Sequence, residues 1–306
     1  MAFYLGIDAG GTKTICAISN GREIVGKGGS GTIKIKKVGP EKARIALEET
    51  LARAFDAAKL TPEQVSASCI GVAGAGLPEV VEWTTTNMRE LVPGPLRVVG
   101  DSDIAHESAF YGGPGVLVIA GTGSIAIGKN SRGVTARAGG WGPMISDEGS
   151  GFWIGRRAVA AAMRAYDAGQ STSLITKIME GWKIATRDAV VSIANSSPPP
   201  DFSALVPQVL ECADNGDALA EEILSIAGAE LAQLAKIVIR KLSLGGTLLK
   251  AAICGGVFKH SATIRQVFFN ALRADLPDIE TIPEAVDPIY GALSLAIKEA
   301  EKHASC

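Results

Sequence analysis

Three glycine turns, each at the end of an apolar run, carry the side chains best suited to handling a polyphosphate. In the first, Gly6-Ile7-Asp8-Ala9-Gly10-Gly11-Thr12-Lys13-Thr14 links the apolar run Phe3 to Asp8 with a second run, Thr14 to Ser19. This places Asp-x-Gly-x-Thr in a β-hairpin. The amides around Gly10, Gly11 and Lys13 and the Thr12 hydroxyl can face a phosphate, while the Asp8 carboxylate can hold Mg²⁺ through water. A P-loop is excluded because Thr12 separates the second glycine from Lys13, and because Ile15 to Ile18 continues as strand rather than helix. No strand-to-helix G-x-G-x-x-G is present, which removes a dinucleotide fingerprint. An ordinary glycine hairpin remains the plain alternative for this motif alone.

The second turn, Ile119-Ala120-Gly121-Thr122-Gly123-Ser124, repeats the design with two hydroxyls. Two such loops facing each other could clamp a triphosphate, and phosphoryl transfer depends on positioning and charge stabilisation of this kind. The third, Ile253-Cys254-Gly255-Gly256-Val257, would let a flat nucleoside approach the backbone. Asp101 follows the strand Leu96 to Val99. On residue type alone it reads as the N-cap of a helix from Ser102 to Phe110. Asp103, inside the helix start, is expected at the surface.

The elements that must hold these residues follow a repeated order. Asn20-Gly21 is a hairpin turn leading to a strand at Ile24-Val25, Pro40 to Lys59 has helical apolar spacing, and Thr61-Pro62 marks a cap and first-turn proline. A strand at Cys69 to Ala73, a helix at Glu79 to Leu91 and the strand at Leu96 complete a βββαβαβ unit. A second βββ begins at Val116 to Ala120 and continues through Ile125 to Gly128 and Val134 to Arg137, which predicts a duplication. Residues 151–245 are helical in pattern, broken by a loop at Asn195 to Asp201. Leu248 to Cys254 is a further strand, and a last helix starts at Pro288.

With 306 residues, the chain is long enough for two cores. Lys and Arg number 30 against 32 Asp and Glu, a net charge of -2, so nucleic acid and anionic membranes are poor partners. No apolar run approaches the roughly 18 residues of a membrane span, and a strand close to Met1 leaves no room for a leader, so a cytoplasmic location is expected. Five cysteines lie far apart, without C-x-x-C spacing. His106 and His260 lack partners at metal-ligand spacing and read as structural or solvated.

Taken in order, Asp-x-Gly-x-Thr, the strand followed by Asp101, Ile-x-Gly-Thr-Gly-Ser, the run Gly139-Gly140-Trp141-Gly142 through Asp147-Glu148-Gly149-Ser150, and the final Gly-Gly-Val resemble the N-acetylglucosamine kinases of the BadF/BadG/BcrA/BcrD ATPase family. The resemblance extends from Ile7 to the last helix. It implies an α/β fold of two ribonuclease-H-like domains of the actin/hexokinase/Hsp70 type with an interdomain cleft. The domains would be residues 1–114 with 288–306, and residues 115–287. It further implies phosphoryl transfer from MgATP to a hexose or amino sugar. In that reading Asp8, Gly10, Thr12, Thr122, Gly255 and Gly256 hold the nucleotide, with Gly11, Lys13, Gly123 and Ser124 beside them. Gly140, Trp141, Gly142 and Asp147 contact the sugar, and Asp101 takes the proton of the attacking hydroxyl. Without the resemblance, Asp147 and Glu148 read as acids at a helix start.

One segment departs from the family. Ser30-Gly31-Thr32-Ile33-Lys34-Ile35-Lys36-Lys37 lacks the sugar-binding Asn usual in that loop and carries three lysines. This predicts a preference shifted toward another amino sugar or an acidic derivative, with solvated lysines as the plain alternative. Two other functional classes make demands of their own on the sequence. An activating ATPase for a radical dehydratase would need cluster cysteines, and none lies between Cys69 and Cys212. A sugar-responsive regulator would need a DNA-binding segment ahead of Phe3. The oligomeric state stays open, with a homodimer among the alternatives.

Overall fold

The computed structural model describes residues 2–242 and 250–304. The chain forms two compact units, Met1–Gly113 with Val286–Cys306, and Pro114–Ala285. In the first, β1 (Phe3–Ala9), β2 (Lys13–Ser19) and β3 (Ile24–Gly31) form an antiparallel meander. β4 (Val65–Val72) runs parallel to β1, and β5 (Leu96–Gly100) parallel to β4, giving the order β3-β2-β1-β4-β5.

A short turn of helix, α1 (Ile35–Val38), precedes α2 (Pro40–Ala58), whose proline stands at the first helical position where no amide hydrogen is needed. Ala43, Ala46, Leu47, Thr50, Leu51, Ala54 and Phe55 recur every three or four residues, and this buried stripe packs on Cys16, Ile18, Ile33 and Ile70. The strand glycine at position 28 permits that packing, since a Cβ there would run into the Thr50 carbonyl. Segment 30–37 is a loop only over residues 32–34. β3 continues to Gly31, Thr32 and Ile33 are 6% and 1% exposed, and α1 follows at once, because Ile33 has to reach the core.

Behind α3 (Pro78–Leu91) and β5, α4 (Asp101–Phe110) covers the opposite face of the sheet together with Pro288–Ala304. Gly6 of β1 lies under Leu293, and the space above Gly71 of β4 is filled by Ile104 of α4. Glu107, 5% exposed, accepts from the Ser294 hydroxyl and the Lys298 ammonium at 2.6 Å each, which ties the two helices together. His106 is buried with its ring 4.8 Å from that of Phe110.

The second unit repeats the plan. β6 (Gly115–Ala120), β7 (Ser124–Lys129) and β8 (Thr135–Gly139) form the meander, β9 (Lys250–Cys254) is parallel to β6, and β10 (Glu280–Val286) flanks β9. The order β8-β7-β6-β9-β10 matches β3-β2-β1-β4-β5 strand for strand, as the repeated βββ pattern predicts, and both are ribonuclease-H-like α/β sheets of the actin-like fold. β10 was not expected from the sequence. It contains Pro283, which a strand tolerates only at a sheet edge, and the edge is where it lies.

Between β8 and β9 come α5 (Gly151–Asp167), α6 (Leu174–Trp182), α7 (Arg187–Ala194), α8 (Val206–Asp214) and α9 (Ala218–Leu242). α10 (Gly256–His260) and α11 (Ala262–Asp275) precede β10, and α12 (Pro288–Ala304) closes the chain. The expected strand start at Leu248 and the pair Gly245-Gly246 lie outside the described residues. Among the described residues no helix is long and apolar enough to cross a membrane.

Candidate active site

The β1–β2 hairpin of the first unit is built with its acceptors occupied and its donors open. Gly10 N donates to the Lys13 carbonyl at 3.1 Å and closes the turn. The Gly10 carbonyl accepts from the Thr32 hydroxyl at 2.8 Å, and the Gly11 carbonyl from the Lys37 ammonium at 3.3 Å. The amides of Gly11 and Thr12 and the Thr12 hydroxyl donate to nothing among the described residues. Thr12 and Lys13 are exposed. Open donors with covered acceptors are what an anion requires of a backbone turn.

Asp8 lies opposite Gly71 in the β1–β4 register, on the face covered by α4 and α12. Both helices start from an aspartate. Asp101 is the first residue of α4, and its Oδ1 accepts from Ser102 N at 2.9 Å. Asp287 directly precedes α12, where its Oδ1 accepts from Ile289 N at 3.1 Å and its carbonyl accepts from the Ser108 hydroxyl at 2.8 Å. Burial pushes the Asp8 carboxyl up to about 7, with the charges of Asp101 and Asp287 adding to the rise and Lys13 opposing it. Asp101 is also raised by burial, against the pull of the Ser102 amide and the Lys34 charge. The positive ends of two helices offset part of this concentration of negative charge.

The expected N-cap assignment for Asp101 is corrected. Gly100 occupies the cap, and Asp103 turns back to accept Gly100 N at 2.9 Å. Asp103 is thus exposed yet structural, and Asp101 stands at the first helical position, one residue inside the cap. Sequence reasoning did not single out Asp287. Its signal was present in Asp287-Pro288, an Asp immediately before a first-turn proline, and it had been counted only as a helix boundary.

The β6–β7 hairpin of the second unit repeats the first. Gly121 N donates to the Gly123 carbonyl at 2.9 Å, and the leading amides of α5, from Gly151 and Phe152, donate to the Gly121 and Thr122 carbonyls at 2.8 and 3.2 Å. The amides of Thr122 and Gly123 remain open among the described residues, and Thr122 is the exposed hydroxyl. Ser124 differs from its expected role. It is 3% exposed, its hydroxyl donates to the Glu148 carbonyl at 2.8 Å and its amide to Asp147 Oδ1 at 3.3 Å, so it braces the turn from inside.

Asp147, 8% exposed, lies under this hairpin with a carboxylate oxygen beside the Gly123 Cα. Asp147 and Glu148 do precede α5, but Ser150 is its cap, accepting Trp153 N at 3.1 Å, and the two carboxylates accept from Ser124 N and the Ser146 hydroxyl instead. Gly140 and Gly142 hold positive φ values of 70° and 95°, and Ser146 N donates to the Gly142 carbonyl at 3.0 Å. The tight loop they form presents Trp141, 60% exposed, with the Arg137 guanidinium 4.2 Å from its ring centroid. An aromatic face presented in this way suits the C–H surface of a sugar ring.

At the third junction the two glycines separate. Gly255 (φ +101°) is required by the fold, since a Cβ there would strike the Ala120 carbonyl. Gly256 is exposed and borders open space, and is the one that would admit a ligand. Cys16, Cys69, Cys212 and Cys254 are buried, and burial pushes the Cys16 and Cys69 thiols up to about 12. Among the described residues no three His, Cys, Asp or Glu side chains are placed to ligate one ion.

A model of the BadF/BadG/BcrA/BcrD ATPase family matches residues 5–296. An N-acetylmuramic acid/N-acetylglucosamine kinase of Clostridium acetobutylicum is 30% identical, over 98% of this chain and 100% of its own. An N-acetyl-D-glucosamine kinase of Dictyostelium discoideum is 29% identical, over 96% and 97%. The crystal structure of a Chromobacterium violaceum protein, provisionally assigned as an N-acetylglucosamine kinase, superposes with a TM-score of 0.75 at 25% identity, covering 97% of this chain and 99% of that one.

Proposed function

The chain belongs to the BadF/BadG/BcrA/BcrD ATPase family, and on that footing we infer that it is an ATP-dependent amino-sugar kinase. The observation that carries this reading is the pairing, in one unit, of a hairpin with open donors and a partly buried carboxylate, Asp101, at the first position of α4, where Gly100 rather than Asp101 holds the cap. The curated relatives named above act, by their names, on N-acetylated amino sugars.

In the reaction, the open amides at Gly11 and Thr12 of the first unit, with the Thr12 hydroxyl and the Lys13 charge, hold phosphate oxygens of ATP, and the open amides at Thr122 and Gly123 with the Thr122 hydroxyl give the second unit the same kind of phosphate-binding turn. Trp141 and its flanking glycines seat the sugar ring, with Asp147 supporting the loop beside it. Asp101 accepts the proton of the attacking hydroxyl as its oxygen bonds to the γ-phosphorus and the bond to ADP breaks. Burial raises the Asp101 pKa above the ordinary carboxylate value, which makes it a better proton acceptor than a surface aspartate, and the Ser102 amide and the Lys34 charge oppose part of that rise.

The donor set near Asp8 fits Mg²⁺. The charges of Asp101 and Asp287 both raise the Asp8 carboxyl, with Lys13 opposing them, and a hydrated cation beside Asp8 would relieve that repulsion, with Asp8 holding it through water. When bound, that ion supplies charge neutralisation on the phosphate oxygens. A coupled assay of ADP release over N-acetylglucosamine, glucosamine, N-acetylmuramic acid and glucose tests the proposal. Sugar-dependent release with an amino sugar is expected, and release equal with and without every sugar would overturn it.

A further inference from the structure

Within the amino-sugar kinase reading, on which this rests, the three lysines of segment 30–37 are not equivalent. Lys36 is paired with Glu79 at 2.9 Å, and Lys37 donates to the Gly11 carbonyl. The Lys34 ammonium makes no hydrogen bond or ion pair among the described residues, and the residue is exposed. Its root, in contrast, is fixed. Lys34 N donates to the Thr32 hydroxyl at 3.1 Å, the same hydroxyl donates to the Gly10 carbonyl, and the Lys34 carbonyl accepts Lys37 N at 2.8 Å. Buried Ile33 anchors the chain immediately before it. The backbone that carries this cation is therefore fixed beside the β1–β2 hairpin, while its head is exposed.

The surroundings show what such a cation offsets. Asp8, Asp101 and Asp287 make this end of the sheet negative, and two lysines act against them, Lys13 on Asp8 and Lys34 on Asp101. Lys13 extends from the hairpin that offers its amides to phosphate. Lys34 acts on the carboxylate assigned to the sugar hydroxyl. A substrate bearing its own carboxylate near the reacting hydroxyl would be repelled by Asp101 unless a cation stood beside it. An ammonium with an exposed head and no internal partner can meet that carboxylate without giving up an existing bond.

We propose that Lys34 is a specificity-determining residue that pairs with a carboxylate on the substrate, so that this kinase takes carboxylated amino sugars such as those bearing a lactyl ether on the ring. The probe pair is N-acetylmuramic acid and N-acetylglucosamine, which share the ring and the acetamido group and differ by the acidic ether. Steady-state kcat/KM is measured for both sugars with wild type, Lys34→Met, Lys34→Arg and Lys36→Met. The ratio of kcat/KM for the acidic sugar to that for the neutral one should fall about tenfold in Lys34→Met, mainly through KM, as expected for one solvent-exposed charge-assisted contact. It should stay within about twofold of wild type in Lys34→Arg and in Lys36→Met. Sugar-induced stabilisation supplies a second readout, in which the acidic sugar should raise the melting temperature of wild type more than that of Lys34→Met.

An unchanged ratio in Lys34→Met overturns the inference. So does an equal loss on both sugars, which would mean that Lys34 serves the phosphoryl group or the fold. Wild type active on N-acetylglucosamine but inert toward N-acetylmuramic acid overturns the inference and leaves the kinase reading standing. Wild type inert toward every sugar overturns the kinase reading itself, so the two failures are told apart.

Discussion

Replacing Asp8 by Asn should stabilise the protein while removing its activity, and the stabilisation should depend on pH in a defined direction. The Asp8 carboxyl is raised from 3.8 to about 7 in the fold, so the folded chain holds this proton more tightly than the unfolded chain does. The favourable contribution of the group is complete below 3.8 and is lost as pH rises toward 7. At ~1.4 kcal/mol per pKa unit, the ionised carboxylate costs at most roughly 4 kcal/mol at pH 8 and roughly 2 kcal/mol at pH 5. Asp8 is only partly buried, and water reduces those figures to about half.

Asp8→Asn has no charge to bury, so its advantage over wild type should be small near pH 4, grow through pH 7 and then level off. Melting curves in metal-free, nucleotide-free buffer between pH 5 and pH 8 measure it. A gain at pH 8 of ~4–8 °C is expected, at ~2–4 °C per kcal/mol, with at least half of it lost at pH 5. The same variant should show no sugar-dependent MgATP turnover, and MgATP should raise the melting temperature of wild type only. A variant no more stable than wild type at pH 8, or a gain that does not vary with pH, would refute the electrostatic reasoning around Asp8.

Three further outcomes follow from the same geometry. Trp141→Ala should raise KM for the sugar about tenfold or more with little change in melting temperature, because the ring is 60% exposed and its face meets the Arg137 guanidinium rather than the core; a matched loss of stability would place Trp141 in the fold instead. Lys298→Met should cost ~1–3 kcal/mol in urea unfolding, since it leaves Glu107 with Ser294 as its remaining side-chain partner in a site 5% exposed. Gly255→Ala should cost ~2 kcal/mol or more, from the positive φ and the contact with the Ala120 carbonyl, and Gly256→Ala much less.

The sequence made the repeated βββ legible because hairpin turns and β-rich runs are local signals, and both meanders appear where Asp8 to Thr14 and Ala120 to Ile125 placed them. What escaped was set by tertiary contact. Segment 30–37 reads from the resemblance as one loop after the third strand, yet only residues 32–34 lack regular structure, and the burial of Ile33 decides their path. Edge position explains how β10 forms around Pro283, and no local pattern announces an edge. Ser124 and Thr122 were indistinguishable as hydroxyls, and only the packing of Asp147 and Glu148 turns one inward and leaves the other exposed. Asp287 joins Asp8 and Asp101 through the helix that returns from the end of the chain, a relation across nearly the full sequence that spacing cannot reveal.

The central claim is that Asp101 takes a proton from a sugar hydroxyl. It is tested most directly by sugar-dependent ADP release from Asp101→Asn beside wild type, with melting temperature recorded for both. Asn keeps the size and the oxygen that accepts Ser102 N, so the helix start should survive. It cannot take the proton, and a positioned carboxylate base contributes ~10²–10⁴ in rate. The account predicts a fall of that size in kcat and in kcat/KM together, with nucleotide and sugar binding retained and the melting temperature no lower than that of wild type. Near-normal kcat in a normally folded Asp101→Asn would contradict it and remove Asp101 from the chemistry.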